Sequence, residues 1–242
     1  MQDIDRIKSS GKIKVGINLQ EGINGAPWAW EDEQTKLILG FEADIARAIA
    51  ERLSVSEEFV ILEGHRSIIG LLKNLCDVSI SAHKTSNVMS GIILTNPYYH
   101  LTQKIVTLED SPVYDLVDLK GYKVGVISNS LGEYIIQQEN SNLTTPIITQ
   151  NYNDVLDLFT SLQFKEISAA FIDSPVAIWY AKTYLDNKLK LSEVAYKSGS
   201  YSIALREESI DLCDLINQIL IEINTREILD KYGLWDEAQE GY

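Results

Sequence analysis

The sequence is poor in cysteine and histidine. Its 242 residues include two cysteines, Cys76 and Cys213, and three histidines, His65, His83 and His100. The cysteines form no CxxC pair, and the histidines have none of the spacings typical of metal ligands. Both observations argue against a disulfide scaffold or a zinc site. We therefore predict a protein without a metal or a cofactor.

Positive charge and long apolar runs are also scarce. Lysine and arginine number 21 against 35 aspartates and glutamates, a formal net charge of -14. Such a chain repels nucleic-acid backbones and anionic lipid headgroups, so neither is an expected partner. No apolar run approaches the roughly 20 residues that cross a bilayer, and the opening MQDIDRIKSSGK lacks the apolar segment of a signal peptide. The chain is thus expected to be cytosolic or processed.

The residues that are present are typical of a globular protein, since 45% are hydrophobic and 23% charged. This length holds one large domain or two modest ones. Apolar periodicity predicts strands at 13–17, 59–62 and 78–80, and helices from Phe41 to about residue 53 and at 68–75. The first 80 residues therefore follow a β-α-β-α-β order.

The same order recurs after residue 120. The pattern predicts strands at 123–127, 147–149 and 169–172, with helices at 130–139 and 153–162. Residues 103–108 and 201–205 are expected to be extended, and 209–223 to form a long amphipathic helix.

Two successive α/β units predict mostly parallel sheets flanked by helices, in two lobes with a cleft between them. Ligands of such sheets bind beyond the carboxyl ends of the strands. The loops after Ile17, Ile80, Ile127 and Ile172 are therefore the candidate site.

Six segments in compatible order carry a family resemblance over nearly the whole chain. They are GKIKVG at 11–16, LGFEAD at 39–44, NPYY at 96–99, DLKGYKVGV at 118–126, AAFIDSPV at 169–176 and ILDKYGLW at 228–235. With these segments the chain resembles the amino-acid family of type II periplasmic solute-binding proteins, the bilobal Venus-flytrap receptors of ABC importers.

The resemblance implies a two-lobed α/β Venus-flytrap fold with two crossing strands. Lobe one is expected at 1–99 plus 200–242 and lobe two at 100–199, with hinge strands near 100–108 and 196–202. The implied function is a monomeric receptor, not an enzyme. It captures an amino acid or amino-acid-like polar small molecule in the interlobe cleft, closes on it and delivers it to a membrane permease.

The resemblance also implies a periplasmic or extracellular location. The export signal would have been removed, and membrane association would come through the permease or through a lipid anchor.

The resemblance also assigns ligand-binding residues, each with a purely structural alternative. Asp173 stands where the family pairs a carboxylate with the ligand ammonium, but it also suits a helix N-cap. Ser130 heads a helix that would hold a carboxylate, or is an ordinary N-cap. Trp28 would stack on the ligand, or plug the lobe edge. Asn18 and Glu21 would reach a ligand side chain, or serve the turn.

The sequence departs from the family at its carboxylate clamp. After Ile80 the family has Gly or Ser, then any residue, then Thr or Ser, and five positions further an Arg that grips the ligand carboxylate. This chain has Ser81, Ala82 and His83 at the first three positions and Val88 at the Arg position. A buried carboxylate without a cation carries a desolvation penalty of several kcal/mol. Either another residue replaces the clamp, or the ligand differs.

Three residues, His83, Arg66 and Lys84, are candidates to replace the carboxylate clamp. His83 is expected to line the pocket together with Ser81. Arg66 would reach into the cleft, or face solvent at a helix start. Lys84 is the third candidate, although we expect it to face solvent.

Other readings stay open at this point. The chain could be the sensory domain of a larger receptor, or an atypical receptor for a ligand that is not an amino acid. An enzyme on this scaffold would use Asp173 as an acid, but no second acid–base group is evident at the matched positions. Cys76 and Cys213 are expected to be buried thiols, and the resemblance puts both in lobe one, so a pairing stays open.

Overall fold

A computed structural model describes residues 2–19, 25–62, 66–85, 89–111, 115–183, 188–236 and 239. The chain divides into two compact units. The first unit comprises residues 1–100 and 199–242, and the second comprises residues 101–198.

Helices and strands alternate along most of the described chain. In order they are α1 (Gln2–Ser10), β1 (Lys12–Ile17), β2 (Trp30–Glu31), β3 (Ile38–Leu39), α2 (Phe41–Leu53), β4 (Ser56–Ile61), α3 (Arg66–Leu72), β5 (Val78–Lys84), β6 (Ile92–Leu108), a short 3-10 helix (Leu116–Leu119), β7 (Lys123–Ile127), α4 (Leu131–Asn140), β8 (Ile148–Tyr152), α5 (Val155–Gln163), β9 (Ala169–Asp173), α6 (Ser174–Thr183), β10 (Leu189–Leu191), β11 (Tyr196–Arg206), α7 (Ile210–Glu222) and α8 (Thr225–Lys231).

The sheet of the first unit is centred on β1. Parallel neighbours β4 and β5 flank β1, and β11 adds to β5 in the antiparallel direction. The apolar residues of β1, Ile13, Val15 and Ile17, are all buried. Because β1, β4 and β5 run parallel, their carboxyl ends share one edge, as the α/β pattern predicts.

Helix α2 covers this sheet with the apolar face that its periodicity predicts. Phe41, Ile45 and Ile49 are buried at one-turn spacing. The helix ends at Ser54, whose left-handed conformation lets its backbone N–H reach the carbonyls of Ala50 and Glu51.

Helix α1 was not predicted, because Ile7 is the only buried side chain among residues 3–10. Contacts between charged groups fix it instead. Arg6 Nη2 lies 2.6 Å from Asp77 Oδ1, and Asp77 Oδ2 accepts the Lys14 N–H at 2.8 Å. Asp77 is 4% exposed, so it joins helix and sheet in a partly dry setting where an ion pair is worth more than at the surface.

The second unit repeats the arrangement around β7. Strands β8 and β9 flank β7 in parallel, while β6 pairs with β9 antiparallel and β10 pairs with β6 antiparallel. The core on this sheet includes Val124, Val126, Ala169 and Phe171. Here α4 begins after its N-cap Ser130, within one residue of the predicted start.

The sequence placed most elements correctly but not all their ends. The predicted strand at 59–62 begins at Ser56, and the predicted helix at 68–75 ends at Leu72. Cys76 and Cys213 are both free and buried, which answers the pairing left open above. Within the described ranges, no helix has both the length and the apolar character needed to cross a membrane.

Gly40, immediately before α2, provides a test of the fold. It has φ 120° and ψ 157°, and a Cβ there would lie 2.1 Å from the Trp28 carbonyl oxygen. Gly199 has a similar φ of 137°, but nothing lies within 4 Å of a Cβ there. We therefore expect Gly40→Ala to lower the free energy of unfolding by about 2 kcal/mol or more beyond Gly199→Ala, measured by urea denaturation. Equal losses would show that backbone conformation alone, and not the close approach, requires glycine.

Candidate functional site

A cavity of about 350 Å³ lies in the first unit, where β1 and β5 end. Its volume falls within the range of small-molecule sites. The residues that line it are Asn18, Ser67, Ile68, Ser81, Ala82, His83, Lys84, Met89, Ile92 and Leu94. Three predicted ligand-binding residues, Asn18, Ser81 and His83, thus share one cavity wall, although their contact with a ligand stays a prediction.

The hydroxyl of Ser81 lacks a hydrogen-bond partner in the part of the chain that the structure describes. Its Oγ is buried and has no hydrogen-bond partner among the described residues. A buried hydroxyl without a partner is costly, and a ligand that accepts its hydrogen bond would remove that cost.

The ring of His83 is neutral in this environment. Burial lowers the pKa of His83 to about 4, and its Nε2 lies 2.8 Å from Ser79 Oγ. The imidazole can therefore share hydrogen bonds, but it carries no charge at neutral pH to offset a ligand carboxylate. This weakens the sequence-based interpretation of His83 as the replacement cation.

Lys84 is partly buried, and it is one of the residues that line the cavity. It is the last residue of β5, where it pairs with Tyr201 of β11. The sequence pattern could not place it, because a lysine at a strand end is usually solvated.

Glu42, which sequence reasoning missed as a site residue, holds the end of β5 in place. Its Oε1 accepts the Ala82 N–H at 2.7 Å and the Tyr98 hydroxyl at 2.5 Å. Ala82 has φ 48°, a left-handed conformation that is unfavourable for alanine, so an anchor for its N–H is needed. Glu42 is 1% exposed, and this burial raises its pKa to about 7.

The loop that carries Trp28 is anchored at the same helix end. The N–H groups of Phe41 and Glu42 donate to the carbonyls of Pro27 and Trp28, each at 3.1 Å. Trp28 is half-buried, and its Nε1 has no hydrogen-bond partner among the described residues. It is not one of the residues that line the cavity. Stacking of Trp28 on a ligand remains a prediction.

The other predicted residues of the first unit are less informative. Arg66 is the first residue of α3 and is exposed, and the cavity lining includes its neighbours Ser67 and Ile68 but not Arg66 itself. Its role in the cleft stays a prediction. Glu21 and Val88 lie outside the described residues.

In the second unit, Asp173 is the last residue of β9 and pairs in register with Gln103 of β6. The Gln103 Nε2 donates a hydrogen bond to Asp173 Oδ1. Gln103 is fully buried, at 0% exposure. A buried amide that donates to a carboxylate limits the rotamers of that carboxylate, so Asp173 is held in one orientation at the end of its strand.

Ser130 is the N-cap of α4, since its Oγ accepts the Glu133 N–H at 3.2 Å. The structural alternative for Ser130 is therefore confirmed, and ligand contact stays a prediction that is compatible with it. The first turn of α4 packs closely on its surroundings. A Cβ on Gly132 would lie 2.9 Å from the Phe171 carbonyl oxygen and 3.0 Å from Gln103 Oε1.

Gln103 was also missed, although the sequence carries a signal for it. In an extended segment, Gln103 lies on the same face as Leu101 and Ile105, which precede and follow it by two residues. It is therefore a polar residue on an apolar face. Such a residue must find a buried partner, which a sequence alone does not identify. For metals, the described residues contain no group of three or more His, Cys, Asp or Glu side chains that could hold an ion.

The chain is similar to known proteins over most of its length. The family model described as bacterial extracellular solute-binding proteins, family 3, matches residues 19–234. The arginine-binding extracellular protein ArtP of Bacillus subtilis (strain 168) is 28% identical over 199 residues, which cover 80% of this chain and 76% of the relative.

Solved structures agree with these matches. The arginine-bound form of truncated ArgBP from T. maritima is 29% identical, with a TM-score of 0.64 over 90% of this chain and 99% of that chain. Substrate-binding domain 2 of Lactococcus lactis GlnP, in an open conformation, has a TM-score of 0.78 over 93% of this chain and 97% of that chain. At 18% identity, GlnP supports the fold alone. The predicted Venus-flytrap fold class is confirmed.

The pKa shifts of Glu42 and His83 predict opposite pH dependences of the free energy of unfolding. Between the ordinary pKa of Glu42, 4.5, and its folded value of about 7, the folded chain binds more protons than the unfolded one, so stability falls as pH rises. His83 has an ordinary pKa of 6.5 and a folded value of about 4, so the unfolded chain binds more protons and stability rises with pH. Each contribution is on the order of 3 kcal/mol, and the two oppose each other in the native protein.

Single variants should separate these contributions. Urea unfolding of Glu42→Gln between about pH 4.5 and 6.5 should show stability rising with pH, because only the His83 contribution remains. For His83→Gln, stability should fall over the same interval, and the double variant, as control, should be nearly flat. Slopes of the same sign in the two single variants would contradict the assigned pKa shifts.

Proposed function

We propose, because the chain belongs to the bacterial extracellular solute-binding proteins of family 3, that it is the receptor of an amino-acid ABC importer and that its ligand is an amino acid with a cationic side chain. The cationic class is supported by the relatives, since ArtP and ArgBP, to which the chain is similar, are arginine-binding proteins by name. That the ligand is an amino acid is also supported by the second unit, which presents a carboxylate in a fixed orientation.

The observation that carries the proposal is the Gln103–Asp173 pair. The fully buried amide of Gln103 orients Asp173 by a hydrogen bond. Asp173 lies at the end of a parallel strand, where ligands of α/β folds bind. An ammonium group is the natural partner of a carboxylate held in this way. We assign the ligand α-ammonium to Asp173, with Ser130 and Trp28 as further contacts.

The remaining parts of the proposal come from the family. The receptor performs no chemical step, acts outside the cytoplasm as a monomer and delivers its ligand to the importer permease. Contact of one ligand with residues of both units is also part of the proposal, and it is supported by the family resemblance.

The proposal is tested by calorimetric titration of the twenty proteinogenic amino acids into protein stripped of bound ligand by unfolding and refolding. We expect one or more of L-arginine, L-lysine and L-histidine to bind most tightly. Absence of binding by every amino acid would reject the proposed function.

For the tightest ligand, Asp173→Asn should weaken binding about tenfold or more, because the ammonium loses its charge-assisted partner. The matched control is Asp157→Asn, which removes the same charge from an exposed position on α5 and should leave affinity unchanged. Equal effects of the two substitutions would remove Asp173 from the binding site.

A further inference from the structure

The cavity of the first unit has a wall of unusual charge for this protein. The formal net charge of the chain is -14. Yet the residues lining the cavity in the described part of the chain include no Asp and no Glu, and their single full charge is that of Lys84. The neighbouring His83 is neutral because burial lowers its pKa to about 4.

The ammonium of Lys84 forms no ion pair with any of the described residues. Other lysines of the first unit do pair, such as Lys231 with Asp44 at 2.6 Å and Lys12 with Glu58 at 3.3 Å. A cation that lines a cavity without an internal counter-charge favours an anion as the occupant.

The Ser81 hydroxyl, on the same wall, can also donate a hydrogen bond to an anion. Ser81 lies three residues before Lys84 on β5, and its buried Oγ has no hydrogen-bond partner among the described residues. Together the two side chains offer an ammonium and a hydroxyl donor, and the described residues of the lining include no carboxylate that competes for them. Carboxylate oxygens accept hydrogen bonds from both kinds of donor.

Resting on the function proposed above, we infer that Lys84 binds the carboxylate of the amino-acid ligand and that the Ser81 hydroxyl donates a second hydrogen bond to it. A lysine ammonium is a compact charge on a flexible stem, unlike the planar fork of arginine, which binds a carboxylate through two parallel hydrogen bonds. The affinity of the site then depends on the carboxylate charge and little on the exact orientation of the carboxylate.

Three ligands separate the two charged groups of the amino acid. They are L-arginine, agmatine, which lacks the carboxylate, and 5-guanidinopentanoate, which lacks the α-ammonium. The variants are Lys84→Gln, Lys84→Arg and, as a matched control, Lys73→Gln, which removes one charge from an exposed position just after α3. If calorimetry finds another amino acid to bind more tightly, its decarboxylated and deaminated analogues take their places.

We expect Lys84→Gln to weaken the binding of L-arginine and 5-guanidinopentanoate about tenfold or more. The affinity for agmatine should change less than about threefold. Lys84→Arg should recover most of the affinity, because the charge is restored, and Lys73→Gln should behave like the native protein. Equal losses for all three ligands would indicate a structural role for Lys84, and unchanged affinities would indicate a solvated side chain. Either result overturns the inference.

A second measurement keeps the inference independent of the proposed function. Lysines are methylated with a ¹³C label, the Lys84 signal is assigned by its absence in Lys84→Arg, and sodium propionate is titrated against sodium chloride of equal ionic strength. If no amino acid binds but propionate moves the Lys84 signal selectively, the proposed function fails and the carboxylate site stands. If no amino acid binds and propionate has no selective effect, both are rejected.

Discussion

The first turn of α2 is the constraint on which the loops of the first unit depend. Its backbone N–H groups bind the carbonyls of the loop that carries Trp28, and the buried carboxylate of Glu42 binds the Ala82 N–H and the Tyr98 hydroxyl. A buried carboxylate is tolerated only while such partners stay in place. The end of β5 and the Trp28 loop are therefore positioned by one set of hydrogen bonds. The first turn of α2 thus fixes the geometry of the cavity wall.

The second unit uses the same kind of device with the roles exchanged. There the fully buried group is the Gln103 amide, and the residue that it orients is the carboxylate of Asp173. Gly132 completes the arrangement, since a side chain there would collide with the Phe171 carbonyl oxygen and with Gln103. In both units a buried polar side chain fixes a residue at the carboxyl end of a strand, where an α/β fold binds its ligands.

The charge of the whole chain is a poor guide to the charge of the site. A net negative charge repels a nucleic-acid backbone over a long range, but electrostatic recognition of a small ligand is decided within a few ångströms. The cavity wall combines a cationic Lys84 with a neutral His83, while Asp173 supplies a negative charge in the second unit.

The sequence by itself determined the order of the main strands and helices, the position of α2 and the place of Asp173 at a strand end, because periodicity and short motifs are local properties of the chain. Only the tertiary structure decided the protonation of His83, the position of Lys84 on a cavity wall and the roles of Glu42 and Gln103. Each of these depends on burial, or on partners as far apart as 56 residues for Glu42 and 70 for Gln103. Desolvation and hydrogen bonding across such separations exist only once the chain has folded.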